Sequence, residues 1–206
     1  MKLKPEVLGT RTVARSRMFQ IEAVQLRFAN GAEREFERIA APAAIGTVIV
    51  VAVPSPGKVL MVREYAVGLE QYELGLPMGG VESGESLLQA ANRELREETG
   101  YAARSLLPLA TLSLAPCILS YQAQIVLATD LYQDAAVGDE PEAPEVVTAS
   151  LGTIEYLICN GELTEARSIA ALFIAREQMR TKRPGNGLSQ AAKRTWNPRR
   201  RTSVTA

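Results

Sequence analysis

The passage GGVESGESLLQAANRELREETGY, Gly79 to Tyr101, constrains this 206-residue chain more than any other. Ser86 and Gln89 stand at the spacing of a capping box, Leu88, Ala91 and Leu95 make an apolar stripe, and Gly100 supplies a C-terminal stop. A helix over about 86–99 follows. Its last turns carry Glu94, Glu97 and Glu98. Like charges four apart cost a helix a few tenths of a kcal/mol, and acids near the C-terminus oppose the helix dipole by ~0.3 to 1 kcal/mol. At about 100° per residue, Glu94 and Glu98 lie about 40° apart and Glu97 about 60° to the other side, so all three can face one point. Hard oxygen ligands behind a loop containing Gly79, Gly80 and Gly84, with no lysine nearby, suit Mg²⁺ or Mn²⁺. A divalent cation would turn the repulsion into an attraction.

Composition narrows the chemistry. The chain has no histidine, which excludes Ser-His-Asp and Cys-His catalysis and any His-ligated metal. Lys+Arg and Asp+Glu both number 23, so net charge gives no reason to expect nucleic acid or a membrane surface as a partner of the whole molecule. No apolar run approaches ~20 residues and the N-terminus lacks the apolar segment of a secretory signal; a cytoplasmic protein is expected. Cys117 and Cys159 show no metal-ligand spacing and are expected to be buried free thiols.

Three regions are expected. Residues 1–41 read as an antiparallel unit, in which FQIEAVQLRF alternates with Ile21, Ala23 or Val24, Leu26 and Phe28 on one face and turns at Asn30-Gly31. Residues 42–181 read as a mixed α/β domain: buried strands in IGTVIVVAVP and GKVLMVREY, YELGLPMGG leading into the helix, strands in LLPLATLSLA and QIVLATDLY, an acidic loop AAVGDEPEAPE and a helix in EARSIAALFIAREQM. Residues 182–206 carry seven basic and no acidic side chains among Pro, Gly, Asn and Ser, and read as a disordered tail.

The spacing within the central passage is more specific than its parts. From Gly79, five residues lead to Glu85, seven more to Arg93-Glu94, then Leu95, one residue, Glu97-Glu98, one residue, Gly100 and the apolar Tyr101. This pattern resembles, without departure, the signature of the Nudix hydrolases, and the likeness covers roughly residues 45–180. Pro116, sixteen residues after Gly100, resembles the ADP-ribose pyrophosphatase branch. The stretches VARSRMFQIEAVQLRFANGAEREFER, VREYAVGLEQYELGLPMGG and DLYQDAAVGDEPEAPE are similar to the bacterial ADP compounds hydrolases within that branch.

The resemblance implies an α/β (α+β) fold, an α/β/α sandwich with a mixed sheet and an N-terminal antiparallel β-hairpin extension. It implies metal-dependent hydrolysis of the pyrophosphate bond in ADP-ribose, NADH or diadenosine polyphosphates, releasing AMP, with two or more Mg²⁺ or Mn²⁺ ions. A nucleotide-sugar pyrophosphatase, an RNA or NAD-cap 5′-end hydrolase and a non-catalytic ADP-ribose-binding domain are the alternatives. Carried over by position, Glu94 and Glu98 are the main metal ligands, with Glu97 close by and the Met78 backbone carbonyl a further candidate. Arg93 would orient Glu85 and Glu97, while Gly79 and Gly100 are structural. The proton acceptor would be Glu140, slightly ahead of Glu142, with Glu97 as the fallback, or the metal-activated water itself. Arg63 and Glu73 would contact phosphate or the terminal ribose, or serve as structural ion-pair partners. Phe19, Tyr65 and Tyr72 can stack on adenine or pack in the core. The branch also implies a homodimer whose N-terminal strands cross to the partner.

Overall fold

The structure, a computed structural model, describes residues 2–40, 46–138 and 141–181. The expected boundary at Ala41-Pro42, the residue Glu140 and the tail from 182 lie outside the described residues.

The N-terminal unit is a three-stranded antiparallel sheet, β1 (Glu6–Arg15), β2 (Gln20–Arg27) and β3 (Glu33–Ala40), in the order β1-β2-β3. The turn between β2 and β3 falls at Asn30-Gly31, where Gly31 has φ +81° and the Phe28 N–H donates to the Ala32 carbonyl at 2.9 Å. A hairpin was expected, and β1 makes it a sheet. That strand buries almost nothing, so it has no apolar alternation to read. Its side chains make ion pairs across the sheet instead, Arg11 with Glu35 of β3 and Glu6 with Arg27 of β2, which also pairs with Glu33. The unit joins the remainder where the Ile39 N–H donates to the Ile118 carbonyl and the Ser120 N–H to that of Ile39.

The second sheet runs β10-β5-β4-β9-β8, from β4 (Thr47–Ala52), β5 (Lys58–Ala66), β8 (Tyr101–Ser113), β9 (Gln122–Gln133) and β10 (Glu145–Ser150). Two short strands attach to it: β6 (Gln71–Gly75) pairs with β5, and β7 (Met78–Gly80) pairs with β4. The β4–β9 pairing is parallel and the others are antiparallel, so the sheet is mixed. β4 reads as a continuous apolar run because helices cover both of its faces. Val48, Val50 and Ala52 point to one core with Ala90, Ala91 and Leu95 of helix α1 (Leu87–Thr99). Ile49 and Val51 point to the other, with Ile154 of α2 (Ile154–Cys159) and Ala171, Leu172 and Ala175 of α3 (Ala166–Thr181). This is the expected α/β/α sandwich.

Helix α1 is bounded as its sequence predicts. Ser86 caps it: the Gln89 N–H donates to Ser86 Oγ at 3.3 Å and the Ser86 N–H to Gln89 Oε1 at 2.9 Å. Gly100 ends it at φ +75°. Two expectations are corrected. Leu88 is exposed, and in the first turn it is Leu87 that packs against the core. Cys117 and Cys159 are free thiols but exposed, one in the turn after β8 and the other closing α2. Replacing Leu95 with alanine should therefore cost ~2 to 5 kcal/mol of unfolding free energy. Leu88→Ala should stay within about 0.5 kcal/mol. Urea midpoints of the two variants check the contrast.

Candidate active site

The buried stripe of α1 does not stop at its apolar residues. Ala90, Ala91 and Leu95 continue along the same side into Glu94 and Glu98, each 8% exposed. Burying a carboxylate costs free energy unless something ionic or hydrogen-bonding answers it, and Arg93 provides most of that answer. Its Nε and Nη2 donate to the two oxygens of Glu85, both at 3.1 Å. Nη1 donates to Glu94 Oε1 at 2.8 Å and to Glu97 Oε2 at 3.0 Å, and Nη2 also to the Gly80 carbonyl at 2.8 Å. These bonds use all five guanidinium N–H groups.

Glu98 is held differently, by the Met78 N–H at 3.3 Å from both carboxylate oxygens. Burial pushes the Glu94 carboxyl up from its ordinary range; Arg93 opposes this, and Glu97 and Glu85 add to it. Bonding from Arg93 draws the Glu85 carboxyl down.

Glu94, Glu97 and Glu98 line one cavity of about 300 Å³, together with Ala136, Val137, Ala143 and Pro144. Among the described residues, no three acidic, Cys or His side chains already stand as a coordination set. Arg93 grips Glu94 and Glu97 by one oxygen each, leaving the second oxygen of each outside its grip. A set of carboxylates that outnumbers its one guanidinium, part buried and facing one cavity, fits a hard divalent cation.

Gly79 explains how Glu94 comes so close. A Cβ at this position would stand 2.0 Å from Glu94 Oε1, so only glycine leaves room for the carboxylate. A Cβ at neighbouring Gly80 meets nothing within 4 Å.

A second cavity, about 550 Å³, adjoins the first and shares Ala143 and Pro144 with it. Arg63, Glu64, Tyr65, Tyr72 and Glu142 line it. Arg63 pairs with Glu145 at 3.5 Å. Tyr65 and Tyr72 meet edge to face with ring centroids 5.5 Å apart. The Tyr72 hydroxyl donates to Glu142 Oε2 at 2.7 Å, and that carboxylate pushes the phenol up from its ordinary range.

The structure thus brings Arg93, Glu85, Glu94, Glu97, Glu98, Gly79 and the Met78 backbone together, and sets Arg63 and Glu142 in the adjoining cavity. Two expected residues stand elsewhere. Glu73 lines neither cavity, because its carboxylate is taken up by the Thr164 hydroxyl, at 2.6 Å, and by Gln71. Phe19 sits exposed in the turn between β1 and β2, where its N–H donates to Ser16 Oγ. Tyr72 as a partner of Glu142 was not foreseen, since the two are 70 residues apart in sequence.

A glutamate-bearing helix behind a glycine loop, packed on a mixed sheet and tied together by one arginine, is the architecture of the Nudix class. Residues 44–150 match the NUDIX domain and residues 5–38 the NudE-type Nudix hydrolase N-terminal domain. The chain belongs to the Nudix hydrolase family. It is 43% identical over 177 residues to the ADP compounds hydrolase NudE of Escherichia coli, covering 86% of this chain and 94% of that one. It is 29% identical over 172 residues to the ADP-ribose pyrophosphatase of Bacillus subtilis, covering 80% of this chain and 91% of the relative. A crystal structure of an ADP compounds hydrolase superposes with a TM-score of 0.82 at 41% identity, covering 90% and 98% of the two chains.

Gly79→Ala gives a direct test of the packing around Glu94. The colliding group is the end of a flexible side chain, so the fold should hold while the carboxylate leaves its place. Activity is expected to fall ~10- to 100-fold, as when the support of a metal ligand is removed, with little change in melting temperature. Gly80→Ala should leave both unchanged.

Proposed function

We propose that this chain hydrolyses the pyrophosphate bond of ADP-containing compounds such as ADP-ribose, NADH and diadenosine polyphosphates, releasing AMP. The observation that carries this reading is the cavity lined by Glu94, Glu97 and Glu98, in a chain with 43% identity to an ADP compounds hydrolase over most of its length.

Glu94 and Glu98 hold the divalent metal, with Glu97 beside them and the Met78 carbonyl as a further ligand. Two or more ions, Mg²⁺ or Mn²⁺, would supply, when bound there, positive charge against the phosphates and a lowered pKa for the attacking water. Arg93 keeps Glu94 and Glu97 on the cavity wall while it neutralises Glu85. Water adds to one phosphorus, the P–O–P bridge breaks at that phosphorus, and the bridging oxygen leaves with the other phosphate. ADP-ribose so yields AMP and ribose 5-phosphate.

A carboxylate receives the proton that the water loses. Glu142 is engaged by Tyr72 in the adjoining cavity, which favours Glu140, from the same loop, as the acceptor. Glu97 already lines the glutamate cavity and remains the fallback. The adjoining cavity, with Arg63, Tyr65 and Tyr72, takes the part of the substrate that does not react.

A homodimer completes the reading. The N-terminal sheet leaves β1 and most of β3 exposed, with Val7, Val13 and Phe36 among the exposed side chains, and a second copy is the cover for them. Sedimentation should give a dimer mass, and removal of residues 1–40 should give monomers.

Product analysis tests the chemistry. ADP-ribose, NADH and diadenosine triphosphate should yield AMP with Mg²⁺ or Mn²⁺, GDP-mannose little product, and chelator should stop turnover. Glu98→Gln should lose at least ~10²-fold in kcat. Loss of a general base costs ~10²- to 10⁴-fold; Glu140→Gln should fall in that range and Glu142→Gln well short of it. Wild-type protein that binds ADP-ribose tightly and yields no metal-dependent product would overturn the assignment.

A further inference from the structure

The glutamate cavity lies on the α1 side of the sheet, yet the segment that positions Glu98 is fastened from the opposite side, by α3. The β6 and β7 strands are separated by Leu76 and Pro77. The buried Leu76 N–H, beyond the last rung of the β5–β6 ladder, donates to Ser168 Oγ at 2.9 Å. Ser168 is fully buried. Its own hydroxyl donates to Glu165 Oε2 at 2.8 Å, and that oxygen also receives the Ser168 N–H at 2.7 Å. Burial pushes the Glu165 carboxyl up, but bonds from Arg167 and Ser168 outweigh it and hold the group below its ordinary range. An ionised carboxylate only accepts, so the Ser168 proton points to Glu165 and a lone pair stays directed at Leu76. Next to this bond, Thr164 takes the Glu73 carboxylate, giving the start of α3 two grips on β6 and its exit.

What lies beyond Leu76 is short and stiff. Pro77 follows with φ fixed by its ring, and its carbonyl accepts the Val50 N–H of β4 at 2.8 Å. Met78 comes next and donates to Glu98; Gly79 then supplies the room for Glu94. A Cβ at Gly75 would stand 3.4 Å from Ser168 Oγ, so the backbone and the helix meet closely at this point.

From this geometry we infer that Ser168, oriented by Glu165, is a positioning residue for the metal-binding carboxylates, acting through the Leu76–Pro77–Met78 segment. The inference rests on the reading of Glu94 and Glu98 as metal ligands. Without the Ser168 hydroxyl the Leu76 N–H is left buried and unpaired; the segment shifts to satisfy it, and the Met78 N–H moves away from Glu98.

The test is direct Mn²⁺ binding by the full chain, followed by electron paramagnetic resonance of the free ion, with urea midpoints measured in parallel. Ser168→Ala should weaken Mn²⁺ binding about tenfold or more, the scale set by second-layer partners of metal ligands. Glu165→Gln should weaken it by less. Leu172→Ala, which opens a cavity in the same helix at a fully buried site, should lower the urea midpoint further than either and leave Mn²⁺ affinity alone. Should Ser168→Ala fail to fold, the comparison of Glu165→Gln with Leu172→Ala decides. Wild-type affinity in both Ser168→Ala and Glu165→Gln, or equal weakening in Leu172→Ala, overturns the inference. If Glu98→Gln abolishes binding while Ser168→Ala leaves it intact, the inference fails and the metal site stands. If the wild-type chain binds no Mn²⁺, the metal site falls and this inference falls with it.

Discussion

The contact on which the site depends is the Arg93 guanidinium among its acids. Glu85, Glu94 and Glu97 all bond to it, from the loop before α1 and from successive turns of the helix. A lysine would offer three N–H groups on a single point of charge, where this position uses five in a planar fork. The arginine keeps part-buried carboxylates tolerable, and it does so incompletely. Glu94 and Glu97 each turn only one oxygen to it, and they share the cavity wall with Glu98. Carboxylates gathered on one rigid helix are the donor set that a divalent cation would complete.

The packing explains why the acids are buried at all. One stripe of α1 carries Ala90, Ala91 and Leu95 against the sheet, and Glu94 and Glu98 belong to the same stripe. The apolar residues anchor the helix against Val48, Val50 and Ala52 of β4 and Val126 and Ala128 of β9, on one face of the sheet. With the helix so fixed, Glu94 and Glu98 stay 8% exposed and line the cavity with Glu97. Small residues at 90 and 91 let the helix approach closely, and Gly79 lets the loop do the same from the other side. The repulsion evident at the end of this helix is therefore not relieved by splaying the side chains outward. It is contained by Arg93 and by the Met78 N–H.

Much of this was legible where the controlling distances are short along the chain. The capping box, the glycine stop, the strands of β4 and β5 and the turn at Asn30-Gly31 all depend on neighbours within a few residues, and each is found where it was read. The pairing of Arg93 with Glu85 and Glu97 spans at most eight residues and was also anticipated. Contacts that the sheet brings together from far apart were not. The parallel β4–β9 pairing, the Tyr72–Glu142 bond and the Ser168–Leu76 bond, 92 residues apart, leave no periodic trace. Glu73, expected either at phosphate or ribose or as a structural ion-pair partner, is held by Thr164, 91 residues away in sequence. β1 escaped notice because a strand with little burial on either face has no alternation. Leu88 misled because periodicity gives the face of a helix, not how far along that face the packing extends.

The two adjoining cavities also explain why the most specific passage of the sequence says so little about substrate. From Gly79–Tyr101, Glu94, Glu97 and Glu98 line the carboxylate cavity, while Ala90, Ala91 and Leu95 pack the helix that carries them. The neighbouring cavity is built from Arg63, Glu64 and Tyr65 of β5, Tyr72 of β6 and the residues leading into β10, none of them in that passage. Among the described residues, Ala143 and Pro144 are common to both linings. On the proposed reading, a pyrophosphate at the glutamates would place the rest of its molecule past these two residues, where the β5–β6 hairpin and the β10 approach would select among its groups. The carboxylate helix, held by Arg93 on one side and by the Met78 backbone on the other, puts no side chain into that second lining. The reaction and the choice of substrate would then be carried by separate parts of the chain that meet at one short wall.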